Sequence, residues 1–327
     1  MTQRLRSAPD ELDALISATA SATGVSAEYV EKDFWATEVL RAACGERSIS
    51  LPTGEIVPVT FVFKGGTSLS RVFRITQRFS EDIDLLAVFP EGPSMPARHS
   101  VLKQVDLDVT AHLGIAGEVV ANSSTKGVKR YTTYRYSAQR TTGVLREGVL
   151  LELGSRGGTQ PAAIHRFTSM LAEYALAQFG EGSEVWAEFA PFDVLTLAPE
   201  RTLLEKLSGL HTMASSGDHD KLRTSGRHLY DIACLLADDS VVDTLRVLGR
   251  EGVEALSADI EKNSVAAGFA SVPRPAGGFA TSAVFSSRDD VRAVVRDAYE
   301  AAMPLVHGPR PTSAEMLSVV QQNSDLL

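Results

Sequence analysis

Long apolar runs are missing from this chain of 327 residues. No stretch approaches the roughly 20 residues that cross a bilayer as a helix, so a membrane-spanning protein is not expected. Cysteine is almost missing. Cys44 and Cys234 are too few for a disulfide framework, and both fall in apolar helical patterns that predict buried thiols in a reducing compartment. The opening residues lack the apolar centre of a signal peptide. Together these absences predict a cytoplasmic protein. His211, His219 and His228 lie close in sequence, but with no Cys or further His at ligand spacing they do not spell a zinc site. No Gly-x-Ser-x-Gly elbow or Walker loop occurs, because in Lys64-Gly65-Gly66-Thr67 the lysine precedes the glycines. Internal repeats and low-complexity segments are also absent. Basic residues are outnumbered, 32 Lys and Arg against 41 Asp and Glu, a net charge of −9 that argues against indiscriminate nucleic-acid binding.

What is present is a soluble globular composition, 44% hydrophobic and 22% charged. The length allows two domains. The basic residues are not evenly spread. Lys64, Arg71, Arg74 and Arg78 occupy a stretch without an acid, and so do Lys126, Lys129, Arg130, Arg135, Arg140 and Arg146, with Tyr131, Tyr134 and Tyr136 between them.

Two helices are predicted over 9–45, the first N-capped by Asp10, the second carrying Val30, Phe34, Trp35, Val39 and Leu40 on one face with Glu31 to Asp33 as a charged edge. A strand follows over 57–63, then a glycine turn, and a helix over 68–73 capped by Thr67. Further strands are predicted over 83–89, 117–121, 129–137 and 148–153, with a helix over 98–113 and turns at Asn122 to Thr125 and Thr141 to Gly143. After a glycine-rich loop over 154–161 the pattern predicts a helix over 163–179 and one or two strands over 185–197. From Pro199 onward it is helical: 199–215, 225–236, 241–263, 287–302 and 313–323. The expected fold class is α+β with a mixed sheet. The expected domains are 1–198, a core with N-terminal helices, and 199–327, a helical domain.

The chemistry concentrates in Lys64-Gly-Gly-Thr-Ser-Leu and Arg78-Phe-Ser80-Glu-Asp82-Ile-Asp84-Leu. These read as strand, glycine turn, short helix and a second strand. Alternation turns Asp82 and Asp84 to one face. Acids at the mouth of an apolar strand require a partner, and a pair of them opposite a phosphate-cradling glycine turn suits magnesium and a nucleotide. Glu152, an acid inside the apolar run Val149-Leu-Leu-Glu-Leu, is a candidate third ligand. Two ions about 3.5–4 Å apart could activate an attacking oxygen and shield a leaving group. A second constellation is Pro199-Glu-Arg-Thr-Leu-Leu-Glu-Lys206-Leu with Arg227-His-Leu-Tyr-Asp231-Ile. Lys206 flanks the apolar face made by Leu203, Leu204, Leu207 and Leu210. Asp231, set among Leu229, Ile232 and Leu235, either serves a site or forms a salt bridge to Lys206 or Arg227 that ties two helices together.

The first motif resembles the Gly-Ser and Asp-x-Asp signature of polymerase-β-like nucleotidyltransferases, and more closely the AbiEii-type toxin nucleotidyltransferases that include the MenT toxins. Glu31-Lys32-Asp33-Phe34-Trp35 and the Lys206 to Asp231 constellation resemble further elements of that family. The resemblance implies a polymerase-β-like mixed-sheet core with a helical C-terminal domain. It implies catalytic Asp82, Asp84, Lys206 and Asp231, and metal ligands Asp82, Asp84 and Glu152, although the superfamily commonly has Asp at the last place. Lys64, Gly65, Gly66, Thr67, Ser80 and Arg227 would serve nucleotide binding, with Lys206 on the triphosphate. Ser80 is also where some members are phosphorylated by a partner antitoxin, which would set further negative charge beside the acids. The implied cofactor is Mg²⁺ with an NTP substrate. The implied function is a toxin, neutralised by a cognate antitoxin, that transfers NMP to the 3′ end of tRNA and blocks aminoacylation. Lys129, Arg130, Tyr134 and Arg135 are candidate contacts to the tRNA acceptor end; alternatively the island blunts an edge strand. The alternative acceptors are a small molecule, as in antibiotic-modifying enzymes, or a protein side chain.

Overall fold

The structure, a computed structural model, describes residues 3–115, 119–137, 140, 145–286 and 289–327. The expected turn at Thr141 to Gly143 and the beginning of the strand expected at Gly117 lie outside these residues. The chain divides into two compact units. One comprises Met1–Thr67, Ser80–Ser155 and Ala163–Thr196; the other comprises Ser68–Phe79, Arg156–Ala162 and Leu197–Leu327.

The first unit is built on a mixed sheet flanked by helices. Its strands are β1 (Arg47–Ser50), β2 (Ile56–Lys64), β3 (Asp82–Val88), β4 (Val119–Thr125), β5 (Lys129–Tyr134), β6 (Val149–Gly154), β7 (Ala162–Phe167) and β8 (Phe192–Leu197). The spatial order is β4-β5-β6-β3-β2-β8-β7, with β1 paired to β2. β2–β3, β4–β5, β5–β6 and β1–β2 are antiparallel, whereas β3–β6 and β2–β8 are parallel. The α+β class with a mixed sheet is therefore what the chain adopts. Helices α1 (Pro9–Thr23), α2 (Ala27–Ala43), α4 (Met95–Leu113) and α5 (Met170–Phe179) belong to this unit. Short α3 (Gly65–Arg71) leaves the end of β2.

Strand alternation gives the sheet one sealed face. Phe63, Ile83, Leu85, Leu151 and Leu153 are buried there, and α2 and α4 pack against β3, β5 and β6. The burial pattern of β6 alternates strictly between buried and half-buried, as a strand with one covered face should.

Several expectations change. Asn122 to Thr125 is not a turn but the second half of β4. The helix expected from Ala163 is split: Ala162–Phe167 is a strand, and α5 begins only after Ser169, whose hydroxyl caps it by accepting from the Ala172 N–H. Ala8 rather than Asp10 occupies the N-cap of α1, with Pro9 in the first turn, where its missing N–H costs nothing. Finally, α2 is not a helix with a charged edge. Glu31, Lys32, Asp33 and Glu38 are all buried. Glu38 is met by Arg6, Arg41 and His112, and Asp33 accepts from the Met170 N–H at 2.7 Å, so each charge is compensated as burial demands.

The second unit is helical: α6 (Pro199–Ser215), α7 (His219–Arg223), α8 (Gly226–Ala237), α9 (Asp239–Ala266), α10 (Asp289–Ala302) and α11 (Ser313–Gln322). Leu203, Leu204, Leu207 and Leu210 of α6 share one core with Leu229, Ile232 and Leu235 of α8 and Val294, Val295 and Tyr299 of α10. α9 contains a break at Gly249, whose φ of 61° and ψ of −178° no helix accommodates. α11 opens with a reciprocal capping box between Thr312 and Glu315. Cys44 and Cys234 are unbridged and half-buried rather than fully enclosed; burial pushes their thiols up to about 12 and about 11. Among the described residues no helix is long and apolar enough to cross a membrane.

Candidate active site

The register of four strands assembles a transverse row on the half-exposed face of the sheet. Lys64 of β2 stands opposite Asp84 of β3. Asp84 stands opposite Glu152 of β6, and Glu152 opposite Tyr131 of β5. Directly paired residues share a face, so a cation, two carboxylates and a phenol lie side by side. Asp82 lies two residues before Asp84 and therefore on the same face. All five side chains are neither buried nor freely exposed.

Gly65 is fixed by this row. Its φ is +81°, a left-handed conformation, and a Cβ there would lie 2.0 Å from Asp84 Oδ2. Only glycine allows the chain to turn so close to the acid. Thr67 does not cap a following helix, as its sequence position suggested; it lies within α3. Its hydroxyl donates to the Asp82 carbonyl at 2.6 Å and lies 2.9 Å from Ser80 Oγ. The glycine turn and the acid strand are thus tied together through Thr67 and Ser80.

The electrostatics of the row are unbalanced. Burial, with Asp84 and then Asp82 nearby, pushes the Glu152 carboxyl up to about 7, against the weaker opposing pull of Arg146 and Lys129. The Tyr131 phenol is also raised, by burial and by Glu152 and Asp84, with Lys64 opposing. Among the described residues, no three His, Cys, Asp or Glu side chains converge tightly enough to hold a metal ion unaided. The carboxylates of Asp84 and Glu152 share a face and crowd one another.

Two devices here were not recognised in the sequence. Lys32 of α2 donates to Glu81 Oε2 at 3.0 Å and to the Arg146 carbonyl at 2.6 Å. Its side chain is 3% exposed, so it braces the residue before Asp82 from the core. Three consecutive charges beside Val30, Phe34 and Trp35 were the available signal. The other device is Tyr131 itself.

The second unit holds a different arrangement. Asp231 of α8 is fully buried. Arg78 grips it with two nitrogens, Nε on Oδ1 at 2.6 Å and Nη2 on Oδ2 at 2.7 Å, a fork-on-carboxylate pair. Lys206 of α6 reaches Oδ2 at 2.9 Å. These cations hold the Asp231 carboxyl well below the usual range even against burial. Arg78 was visible in the first motif but not assigned as the partner. Arg227 makes no ion pair among the described residues. His228 is held neutral, pushed down to about 3 by burial and by Lys206, with Arg78 and Arg227 adding to it and Asp231 opposing.

Two of the candidate RNA contacts are corrected. Arg130, Thr132 and Tyr134 do share one face, but it is the sealed one, and all three hydrogen-bond Asp106 of α4; the Tyr134 hydroxyl donates to Oδ1 at 2.7 Å. Tyr134 is fully buried, so it offers no stacking surface. Tyr136 is stacked on Trp35 with centroids 5.1 Å apart. Lys129 and Tyr131 lie on the other face, with the Lys129 ammonium 5.0 Å from the ring centroid, and Arg135 is exposed.

A cleft of about 680 Å³ also lies in the first unit, lined by Arg47, Ile56, Phe61, Ile164 and Leu195 among others. Its one strong cation is already used, because Arg47 donates to Asp108 and to the carbonyls of Ala42, Ala43 and Gly45. The acid row, unlike this cleft, sets carboxylates directly opposite one another in register. In comparison with known proteins, a family model described as the nucleotidyl transferase AbiEii toxin of type IV toxin–antitoxin systems matches residues 58–312. No curated protein matches the chain.

Proposed function

Because the chain belongs to the AbiEii nucleotidyl transferase toxin family of type IV toxin–antitoxin systems, we propose that it transfers a nucleoside monophosphate from an NTP to the 3′ end of tRNA and so blocks aminoacylation. The observation that carries this reading is the row Lys64–Asp84–Glu152 with Asp82 beside it and Gly65 against Asp84. The family implies an NTP substrate and an antitoxin partner.

In the reaction the terminal 3′-oxygen forms a bond to the α-phosphorus. The bond from the α-phosphorus to the α–β bridging oxygen breaks, and pyrophosphate leaves. Lys64 and the backbone of Gly65, Gly66 and Thr67 bind the phosphates. The close packing of Gly65 on Asp84 places that backbone at the carboxylates, which supports the assignment. Asp82 and Asp84, with Glu152 beside them, would hold magnesium jointly with phosphate oxygens. The fit rests on the donor set: hard carboxylate oxygens suit a hard cation, and a carboxyl raised to about 7 by burial and by its acidic neighbours is relieved by one. When bound, the metal acidifies the attacking hydroxyl and neutralises charge on the leaving group. Ser80, fixed through Thr67 to the first acid, orients that acid. Lys206 is assigned to the triphosphate, Asp231 to holding Lys206 in place, and Arg227 to a supporting phosphate contact; Arg78 shares Asp231 and organises the pair. For the acceptor, Lys129 and Arg135 are the contacts that the fold leaves available.

The test is induced expression in a bacterial host, wild type against Asp82→Asn, followed by sequencing of tRNA 3′ ends. Growth arrest with extended tRNA ends in the wild type alone is expected. Arrest by the wild type with unextended tRNA rejects the tRNA acceptor and turns the reading to a small molecule or a protein side chain.

A further inference from the structure

We propose that Tyr131, with Lys129 beside its ring, is the platform on which a nucleobase stacks at the acid row. This rests on the nucleotidyl-transfer reading and names a contact which that reading does not assign.

The argument begins with register. Tyr131 is directly opposite Glu152, which is opposite Asp84, which is opposite Lys64. Neighbouring strands lie about 4.8 Å apart, so the row spans roughly 14 Å from Lys64 to Tyr131. An extended nucleotide covers such a length. Its phosphate end belongs at Lys64 and the Gly65 turn, where the positive charge of the row lies. Its base then falls at the other end of the row, at Tyr131.

The chemistry of that end is specific. Within β5, Arg130, Thr132 and Tyr134 turn inward and are used on Asp106. Lys129 and Tyr131 turn the other way, towards the carboxylates. Tyr131 is half-buried, whereas Tyr134 is fully enclosed, so the fold holds the Tyr131 ring in place without sealing it. The Lys129 ammonium lies 5.0 Å from the ring centroid, close enough to steady the ring by a cation–π contact and to meet a phosphate or a base edge. A tyrosine face stacks on any base, because every base presents a π surface, and such stacking is tolerant of sequence.

The base could come from the NTP or from the terminal nucleotide of the RNA, and 2-aminopurine distinguishes them because its fluorescence is quenched on stacking. Two probes are titrated with the full chain: 2-aminopurine riboside triphosphate with Mg²⁺, and an oligoribonucleotide ending in 2-aminopurine. The variants are Tyr131→Phe, which keeps the ring; Tyr131→Leu, which keeps apolar bulk without a π face; and Tyr131→Ala. The expected result is quenching by the wild type and the Phe variant, with affinity for at least one probe falling about 5- to 150-fold in the Leu and Ala variants. The probe that responds identifies whose base is held. Unchanged affinity for both probes in the Leu variant overturns the proposal. So does an equal loss in the Phe variant, which would assign the effect to the hydroxyl rather than to stacking. Binding is read without turnover, so a wild type that transfers nothing to RNA yet shows Tyr131-dependent quenching removes the tRNA reading and keeps the platform.

Discussion

Glu152 and Asp231 are both acids set in apolar elements, and their surroundings push them in opposite directions. Asp231 is fully buried between Arg78 and Lys206, and these cations hold its carboxyl down. Glu152 is half-buried beside Asp84 and Asp82, and it is pushed up to about 7. One site already contains its counter-charge and a surplus of one cation. In the other, acids outnumber the one cation in register with them, and Glu152 is held towards its neutral form. Burial of an acid alone therefore does not distinguish a structural post from a reactive centre; the sign of the company does.

That contrast can be broken at several points. The largest effect is expected from Asp84→Asn, or equally Asp82→Asn. Nucleotidyl transfer should fall roughly a thousandfold, the several kcal/mol that metal-assisted charge stabilisation supplies. Stability should change far less than transfer; a variant that transfers at the wild-type rate contradicts the assignment. Asp231→Asn should do the reverse. It leaves Arg78 and Lys206 buried without their counter-ion, at a cost of about 3–5 kcal/mol in urea unfolding. Because its pKa is depressed, the stability that Asp231 contributes is present above the unfolded carboxylate value and declines as pH falls below it; the variant should lack that decline. Gly65→Ala places a Cβ 2.0 Å from Asp84 Oδ2 at a φ of +81°. The backbone strain is worth roughly 1–2 kcal/mol, and displacing the acid should cost about a hundredfold in turnover.

Glu152→Gln sharpens the comparison through pH. Below the unfolded value near 4.5 the side chain is protonated in both states and contributes nothing. As pH rises from about 4.5 to about 7 the unfolded chain ionises while the folded protein resists the charge, so stability falls across this window and is level above it. The glutamine variant should therefore be more stable at pH 8 by about 1–2 kcal/mol after allowance for solvent screening, equally stable at pH 4, and the gap at pH 8 should shrink when Mg²⁺ and NTP are added. The smallest effect is expected from Tyr134→Phe. It removes one hydrogen bond to Asp106 at a cost of about 1 kcal/mol and should leave RNA affinity unchanged, because the ring lies on the sealed face.

These sites were unequally legible in the sequence. Asp82 and Asp84 sharing a face follows from the pleat alone, which any strand enforces. Glu152 lying opposite Asp84 depends on a parallel pairing between β3 and β6 and on its register, which no local pattern carries. Arg130 and Tyr134 fall on one face as alternation requires, but alternation does not say which face is inward. That was decided by Asp106, an acid in α4 that its own helix pattern does not announce. β7 falls in the span expected as helix: Ala162-Ala163 favours helix, and of its two large apolar residues Phe167 is buried while Ile164 is exposed at 70%, so this edge strand lacks the double-sided apolar pattern of a central one. The helices of the second unit were the most legible, since a buried 3.6-residue stripe runs through α6 and α8 and a capping box marks the start of α11.

The central claim is that the acid row of the sheet holds a divalent cation together with nucleotide phosphate. Mn²⁺ tests it directly, because the free ion's electron paramagnetic resonance signal is lost on binding. Titrating Mn²⁺ into the full chain with a non-hydrolysable NTP should remove the signal in proportion to protein for the wild type and for Tyr134→Phe, and fail to do so for Asp82→Asn and Asp84→Asn. Equal Mn²⁺ uptake by the wild type and both aspartate variants would contradict the account.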